Sequence, residues 1–96
     1  MTRVVVTEEA RRELDVLISS RRLPRDTRGR IRNSLEPLRL HPMIGPALGG
    51  VREGYRFVLG PWPWMLLVYR VDLEHDTVLI ASIQDARQAG AATGMR

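Results

Sequence analysis

The chain has 96 residues, 44% of them hydrophobic and 27% charged, which is typical of one folded domain and excludes a disordered chain. Its formal net charge is +4, and all 15 cationic residues are arginine. It contains no cysteine, which excludes a disulfide framework and a thiolate metal site, and no apolar run approaches the roughly 18 residues of a membrane helix. No signal peptide is predicted at the N-terminus, so the expected location is the cytoplasm.

The first part of the chain predicts one strand followed by two helices. Arg3–Val6 is a β-branched run typical of a strand, and Thr7 follows it as a helix N-cap with acidic residues in the first turn. The apolar positions at helical spacing are Ala10, Leu14, Leu17 and Ile18 in the first helix, and Ile31, Leu35 and Leu38 in the second. Pro37 is expected to end or kink the second helix near Ser34, because proline lacks a backbone donor.

The second part of the chain predicts a three-stranded antiparallel meander. Residues 41–50 are rich in proline and glycine and are expected to form a loop. From Val51 the apolar residues recur with a period of two, which is typical of strands. The predicted strands cover residues 51–59, 64–72 and 77–83, with a hairpin connection at 60–63 and a turn at 73–76. Residues 88–96 form a tail of small residues that is expected to be flexible.

These elements predict an α+β fold with the order β-α-α-β-β-β in a single domain of residues 1–96. The simplest packing places a two-helix hairpin on one face of a four-stranded, mainly antiparallel sheet. The first strand is expected at an edge of the meander. The other face of the sheet is expected to stay partly open.

The arginines allow two interpretations. Their abundance fits a base-composition bias in the source genome, and it also fits a surface that binds phosphates. Strand parity puts Arg52 and Arg56 on one side of their strand and Arg70 on the outward side of the next, while Arg87 follows the last strand. We expect all four to bind a target or a nucleic acid, with Arg56, Arg70 and Arg87 converging as one cluster. The alternative is that they are solvated strand arginines paired with nearby carboxylates.

Apolar residues on the face expected to be open predict a surface for a protein partner. Val58, Leu66 and Val68 would be buried by a segment laid across the sheet or added to an edge strand. Trp62 and Trp64 lie in or beside the hairpin connection. They either cover the edge of the core, or form an exposed aromatic anchor for a protein partner or for base stacking.

Metal and hydrolase chemistry have little support in the sequence. His41 and His75 lie in predicted loops, with no acid or second histidine at ligand spacing. No serine has a histidine at a position that suggests a hydrolase triad. The sequence therefore predicts neither a metal site nor a cofactor.

Three ordered segments resemble the RelE/ParE superfamily of toxins from bacterial type II toxin–antitoxin pairs. Residues 4–14 are similar to the opening strand and helix of that family, and residues 35–50 are similar to its passage between the helices and the sheet. Residues 54–58 (GYRFV) and 67–72 (LVYRVD) look like its central strand pair. The resemblance covers residues 3–88 and implies a cognate antitoxin as partner, in complexes that can be of higher order, without cofactor or membrane.

The resemblance also bears on the type of activity. In the RelE branch, which cleaves mRNA on the ribosome, it implies Arg56 and Arg87 as catalytic candidates. Members of that branch carry further basic residues where this chain has Val58 and Leu66, and commonly a histidine where it has Gln84. Arginine does not deprotonate and is a poor general base, so the sequence leans away from an enzyme.

The sequence analysis therefore favours the ParE branch, for which the resemblance implies action by binding, with DNA gyrase as the target. The alternative is a ribosome-dependent mRNA endonuclease with a degenerate arginine cluster.

Overall fold

The structure, a computed structural model, describes residues 1–88 and 91–92. The helices are α1 (Glu8–Arg21) and α2 (Thr27–Leu35), and the strands are β1 (Arg3–Val6), β2 (Arg56–Leu59), β3 (Met65–Asp72) and β4 (Thr77–Asp85). Two 3-10 turns, Glu36–Arg39 and Gly50–Arg52, lie between α2 and β2. The predicted α+β order is confirmed. None of the helices in the described part of the chain has the length and apolarity that a membrane span requires.

Thr7 caps α1, as the sequence predicts. Its hydroxyl accepts a hydrogen bond from the Ala10 backbone N–H at 3.3 Å and donates one to the Ile80 carbonyl at 2.8 Å. Glu8 and Glu9 occupy the first turn, where the helix dipole stabilises carboxylates. One side chain therefore both begins α1 and fastens it to β4.

Pro37 ends α2, also as predicted. The α-helix stops at Leu35, and the chain continues as a 3-10 turn with Pro37 at its start, where a missing backbone donor is tolerated. Leu38 lies on this turn and is completely buried. The break in the helix therefore directs an apolar side chain into the core.

The sheet has the strand order β1-β4-β3-β2. β1 runs parallel to β4, with Val4 opposite Val78, and the other two strand pairs are antiparallel. The prediction that the first strand joins an edge of the meander is confirmed. A parallel pair needs a long crossover connection, and here that connection contains both helices as well as β2 and β3.

The main core lies between the helices and one face of the sheet. Its buried members are Ala10, Leu14, Leu17, Ile31, Leu35, Leu38, Met65, Leu67, Tyr69, Val78, Ile80 and Ile83. Burying one large aliphatic side chain stabilises a fold by about 1.5–3 kcal/mol, so this layer dominates the stability of the chain.

The opposite face of the sheet is covered by the chain itself around Leu66 and Val68, which corrects the expectation that these two residues are open, whereas Leu59 on the same face is 51% exposed. Leu66 and Val68 are each 2% exposed. The residues that pack with them are Ala91, Leu48, Tyr55, Phe57, Ala86 and Ala92. The cover comes from the loop before β2 and from residues after β4, so it depends on contacts that strand parity does not reveal.

Val58 lies on the helix side of the sheet, and this corrects its grouping with Leu66 and Val68. It stands opposite Leu67 in the β2–β3 pair, and its side chain packs against the main core. Parity orders the residues within one strand but does not fix the register across a hairpin. The connection between β2 and β3 sets that register and moves Val58 to the other face.

Strand β2 is shorter than the sequence predicts. Val51 is fully exposed in a 3-10 turn, and the pairing with β3 begins only at Arg56. Gly50 and Gly54 have φ angles of 62° and 94°, left-handed conformations that turn the chain and favour glycine. Arg52 therefore does not share a strand with Arg56, which corrects the parity argument that grouped them.

A β-bulge interrupts the β3–β4 ladder between Val68 and Tyr69. The carboxylate of Glu13, which lies on α1, accepts hydrogen bonds from the Ser82 hydroxyl at 2.8 Å and the Ile83 backbone N–H at 2.9 Å. Glu13 therefore supplies a hydrogen-bond acceptor to the part of β4 that extends past its pairing with β1. The bulge also shifts the parity of β4, so that the side chain of Ile83 reaches the main core.

The predicted flexible tail at 88–96 falls largely on residues 89–90 and 93–96, which lie outside the described residues. Within the described part, Ala91 is 8% exposed and packs beside Leu66 and Val68. The Ala92 backbone N–H donates a hydrogen bond to the Gln84 side-chain oxygen at 2.7 Å. This contact ties Ala92 to β4.

Candidate functional site

The end of β4 holds a buried carboxylate between two arginines. The side chain of Asp85 is 1% exposed, and Arg21 Nη2 donates to its Oδ2 at 2.9 Å. Arg87 donates to both carboxylate oxygens, from Nη2 at 2.8 Å and from Nε at 2.9 Å, and its backbone N–H adds a third bond at 2.9 Å. The hydrogen bond from the Arg87 side chain is the main reason that the pKa of Asp85 lies far below its ordinary value. Asp85 is therefore ionised and fixes the position of Arg87.

Four side chains beside Asp85 form a stack that we call the Trp–Arg ladder, consisting of Arg30, Trp62, Trp64 and Arg87. The two indole rings are stacked, with centroids 6.0 Å apart and 16° between their planes. The Arg87 guanidinium carbon lies 4.9 Å from the Trp64 ring centroid, and that of Arg30 lies 5.7 Å from the Trp62 centroid. Both distances are within the range of about 6 Å in which a cation is attracted to an aromatic face.

The backbone of the β2–β3 connection positions both rings. The Gly60 N–H donates to the Met65 carbonyl at 2.9 Å, and the Met65 N–H donates to the Trp62 carbonyl at 3.0 Å. The Ala86 N–H donates to the Trp64 carbonyl at 2.7 Å, which joins this connection to the end of β4. Both tryptophans pack against the main core and remain only half-buried. They therefore cover the edge of the core and also present aromatic surface.

Arg56 binds the loop before β2, and its part in binding a target stays a prediction. Its Nη1 donates to the Gly45 carbonyl at 2.7 Å and to the Met43 carbonyl at 3.2 Å. Opposite it in β3, the Tyr69 hydroxyl accepts a hydrogen bond from the Gly45 N–H at 3.0 Å. Burial raises the pKa of Tyr69, so its hydroxyl stays protonated. The two side chains fasten the loop to the sheet.

The predicted convergence of Arg56, Arg70 and Arg87 is wrong. Arg56 pairs with Tyr69, whereas Arg87 comes two residues after Asp85, the partner of Met65. The strand from Met65 to Tyr69 is about 13 Å long, so the two arginines lie towards opposite ends of it. Arg70 follows Tyr69 in β3 and therefore points to the opposite face from Arg56. The register across the two hairpins decides this arrangement, and the sequence alone does not supply it.

Arg52 and Arg70 lie away from the ladder. Arg52 is half-buried in the 3-10 turn before β2, and Arg70 is an exposed residue of β3. Of the four arginines that the sequence selected, only Arg87 lies with other cations at a shared site. Those cations are Arg21 and Arg30, which sequence analysis missed because their proximity depends on how the helices pack.

A groove of about 580 Å³ runs between α1, α2 and β1. Its apolar lining residues are Val4, Val5, Val6, Leu14, Ile31, Leu35 and Ile83, and its charged ones are Arg11, Asp15, Arg28, Arg32, Glu36 and Arg39. Arg28 on α2 forms an ion pair with Asp15 on α1. The sequence contains one indication of this groove. Arg28 and Arg32 are one helical turn apart, so they lie on one face of α2 beside its apolar residues.

The turn between β3 and β4 brings together three possible metal ligands. Ligand atoms of Asp72, Glu74 and His75 lie within 4.8 Å of one another, and His75 Nδ1 is 2.9 Å from Asp72 Oδ2. This corrects the statement that no acid lies at ligand spacing from His75. The hydrogen bond with His75 is the first cause of the lowered pKa of Asp72. The hydrogen bond between His75 and Asp72 explains why these ligand atoms lie close together in an exposed turn. That the chain binds no metal stays a prediction.

Comparison with known proteins gives a clear result for the fold. No family model matches the chain, and no curated protein sequence matches it. Among solved structures, a chain of the RelBE2 toxin–antitoxin complex from Mycobacterium tuberculosis is 27% identical, with a TM-score of 0.64. The match covers 88% of this chain and 96% of that one.

Two E. coli structures share the fold at lower identity. A chain of the intact RelBE toxin–antitoxin complex is 20% identical, with a TM-score of 0.64, over 92% of this chain and all of that one. The isolated RelE toxin is also 20% identical, with a TM-score of 0.63, over 94% of this chain and 89% of that one. The fold and the likeness to RelBE2 agree with the sequence resemblance. The predicted resemblance to RelE toxins is confirmed by the likeness to the RelBE2 chain.

Proposed function

We propose that this chain is the toxin of a type II toxin–antitoxin pair and that it acts in the RelE manner, on ribosome-bound mRNA in the cytoplasm. The likeness to the RelBE2 chain, at 27% identity over 88% of this chain, carries the proposal. The sequence analysis favoured the ParE branch and gyrase. The solved structures described above are RelE proteins and their complexes, and they support the RelE alternative instead.

The chemistry of such a toxin needs cations that hold the phosphate, and a group that moves protons. Arg87 suits the first role, because Asp85 fixes it while 61% of its side chain stays exposed. Tyr69 is a poor candidate for the second role, since it is buried and protonated. Proton transfer contributes about 10²–10⁴-fold to such reactions. We therefore expect transcript cleavage that is slower by about this order than in a toxin with a proton-transfer residue.

The proposed partner is a cognate antitoxin, and we propose the groove between α1 and α2 as its site. The surface around Leu66 and Val68, which the sequence favoured, is already covered by the chain. The groove has an apolar floor, and its rim carries four arginines and two carboxylates. An amphipathic helix or strand with acidic side chains fits both properties.

Growth arrest and its molecular cause test the proposed function together. The chain is expressed from an inducible promoter, and transcripts and plasmid supercoiling are measured in the same cells. We expect growth to stop, transcripts to be cut within translated regions, and supercoiling to stay unchanged. Relaxed or broken DNA with intact transcripts would instead support a ParE-like toxin that acts on DNA gyrase. Normal growth at full expression would contradict a toxin altogether.

The antitoxin site is tested by reversing one charge on the rim of the groove. Arg32→Glu is expected to weaken the complex with the cognate antitoxin by about 10-fold, as truncation of interface arginines often does. Arg12→Glu makes the same charge change at an exposed position of α1 that does not line the groove. Its affinity, measured by calorimetry, is expected to change by less than about 3-fold. Equal losses in both variants would exclude the groove.

A further inference from the structure

Arg21 is the third charged residue of the site around Asp85, and the chemistry proposed above gives it no role. It is the last residue of α1. Its Nη2 and Nε donate to Asp85 Oδ2 at 2.9 Å and 3.3 Å. The side chain of Arg21 is 31% exposed, whereas that of Arg87 is 61% exposed. Arg87 therefore offers the larger surface to a ligand, and Arg21 is the more enclosed partner of the carboxylate.

The carboxylate of Asp85 holds one edge of the Arg87 guanidinium group. Its Oδ1 accepts a hydrogen bond from Arg87 Nε at 2.9 Å, and its Oδ2 accepts one from Arg87 Nη2 at 2.8 Å. The ring of Trp64 lies against a face of the same group. A guanidinium has five N–H donors, so Asp85 leaves the two on Nη1 and one on Nη2 for another acceptor. Asp85 and Trp64 thus orient Arg87 and leave it able to donate to a phosphate.

Asp85 also weakens the site that it orders, because its charge is opposite to that of Arg87. An anion that approaches Arg87 meets a pair whose two charges sum to zero, and the carboxylate beside the guanidinium repels it. The side chain of Asp85 is 1% exposed, so salt screens its charge less than it would at the surface. An arginine paired in this way alone would bind phosphate poorly.

Arg21 restores the positive charge of the site. It brings a second cation to the Oδ2 atom that Arg87 already binds, so the three side chains together carry two positive charges and one negative charge. Because both guanidinium groups donate to the same oxygen atom, they lie close enough together for both to attract one phosphate. Arg21 also holds the carboxylate from the side of α1, which helps to keep Asp85 in place for Arg87.

We propose that Arg21 is a positioning residue that acts through Asp85 and supplies the charge with which Arg87 attracts a phosphate. The identity of that phosphate, as part of RNA, rests on the proposed function. The alternative is that Arg21 serves only to fasten α1 to β4. In a folded chain without the Arg21 charge, the proposal expects a lower affinity for phosphate, whereas the alternative expects a lower stability and an unchanged affinity.

Binding of inorganic phosphate tests this charge without any requirement for catalysis. The purified full chain is titrated at constant ionic strength, and the Arg87 Nε–H resonance is followed by NMR. We expect Arg21→Gln to weaken binding by about 3- to 10-fold, and Arg21→Lys, which keeps the charge, to stay within about 2-fold of the parent chain. Equal affinities of Arg21→Gln and the parent chain would overturn the proposal. Equal losses in the two Arg21 variants, or a parent chain that gives no response to phosphate, would also overturn it.

Arg12→Gln is the matched control for the loss of one positive charge from α1. Arg12 is exposed and precedes Arg21 by nine residues, which corresponds to about 13 Å along the helix axis. This separation exceeds the Debye length of about 8 Å at physiological salt, so we expect the affinity for phosphate to change by less than about 2-fold. A loss as large as that in Arg21→Gln would show a general effect of net charge and would contradict the proposal. Urea unfolding establishes beforehand that each variant is folded.

Transcript cleavage in a translating extract gives a second measurement. The phosphate is charged before the reaction begins, so the Arg21 charge should act mainly on binding. We expect Arg21→Gln to raise the KM for ribosome-bound mRNA by about 3- to 10-fold and to change kcat by less than about 3-fold, with both values recovered in Arg21→Lys. A fall in kcat at unchanged KM would be evidence against the proposal.

This inference and the proposed function fail in different ways. Cleavage with the same KM in the parent chain and in Arg21→Gln would refute the role of Arg21 and leave the RelE-like function standing. Phosphate binding that depends on the Arg21 charge, without growth arrest or transcript cleavage, would refute the proposed function and support the role of Arg21 in an anion site.

Discussion

Gly45→Ala is expected to destabilise the chain by about 3 kcal/mol, the upper end of the usual cost of overpacking a core. A Cβ at this position would lie 2.2 Å from the Phe57 carbonyl oxygen and 2.9 Å from the Tyr69 hydroxyl. Neither neighbour can move away easily, because the Phe57 carbonyl is part of the β2 backbone and Tyr69 is completely buried. The loop would have to leave the sheet to relieve the clash.

Detachment of that loop would also break the bonds that Gly45 makes to Arg56 and Tyr69, and would uncover the outer edge of β2. Gly49→Ala is the matched control, since a Cβ there meets nothing within 4 Å and its φ of −119° suits any residue. We expect its free energy of unfolding to stay within about 0.5 kcal/mol of the parent chain. Urea unfolding followed by circular dichroism measures both variants, and similar midpoints would contradict the close approach at Gly45.

Removing the carboxylate of Asp85 is the second change with a large expected effect. Asp85→Ala leaves Arg21 and Arg87 without their shared acceptor at the end of β4. Breaking one side of a buried ion pair costs about 3–5 kcal/mol, but both guanidinium groups here can regain contact with water, so we expect about 2–3 kcal/mol. Asp15→Ala removes an ion pair whose side chains are 58% and 60% exposed, and should cost less than about 1 kcal/mol. Thermal or urea unfolding of the two variants makes the comparison.

The same carboxylate predicts a pH dependence with a defined sign. The pKa of Asp85 in the folded chain lies below its ordinary value of 3.8, so its stabilising contribution is complete above that value and declines as the pH falls. The unfolding free energy of the parent chain should therefore drop more steeply below about pH 4 than that of Asp85→Asn. Parallel curves for the two proteins from pH 5 to pH 2 would show that Asp85 does not titrate as described.

Local features of the fold were readable from the sequence because their causes are local. The β-branched run before Thr7 and the acids after it define β1 and the start of α1. Pro37 ends α2 through its missing donor, and the LVYRVD segment lies within β3. Each of these decisions depends on residues a few positions apart, so pattern and propensity are enough to make them.

The relation between strands was not readable in the same way. The register of β2 against β3 moved Val58 to the helix side, and the bulge beside Val68 changed the parity of β4. The cover over Leu66 comes from a loop before β2 and from Ala91 after β4. All three depend on contacts between distant segments, for which periodicity within one element carries no information.

The candidate site follows the same rule. Arg87 and the tryptophans could be selected from the sequence because they stand beside predicted strands. Their grouping with Arg21 and Asp85 could not, since those two residues are 64 positions apart and meet only when α1 packs beside β4. Arg56 was selected for its charge, and its hydrogen bond to a loop carbonyl becomes visible only with the loop in place.

The parallel pairing of β1 with β4 has a consequence for synthesis on the ribosome. The first strand to be made lies beside the last one, and even Thr2 is held by Asp76, through a hydrogen bond of 2.9 Å. Until residues 77–85 have emerged, β1 lacks its neighbour and β3 lacks one of its two partners. At about 5–20 residues per second, the 76 residues that precede this strand take several seconds to synthesise. A nascent chain that has not yet reached residue 77 therefore carries neither a completed sheet nor Arg87.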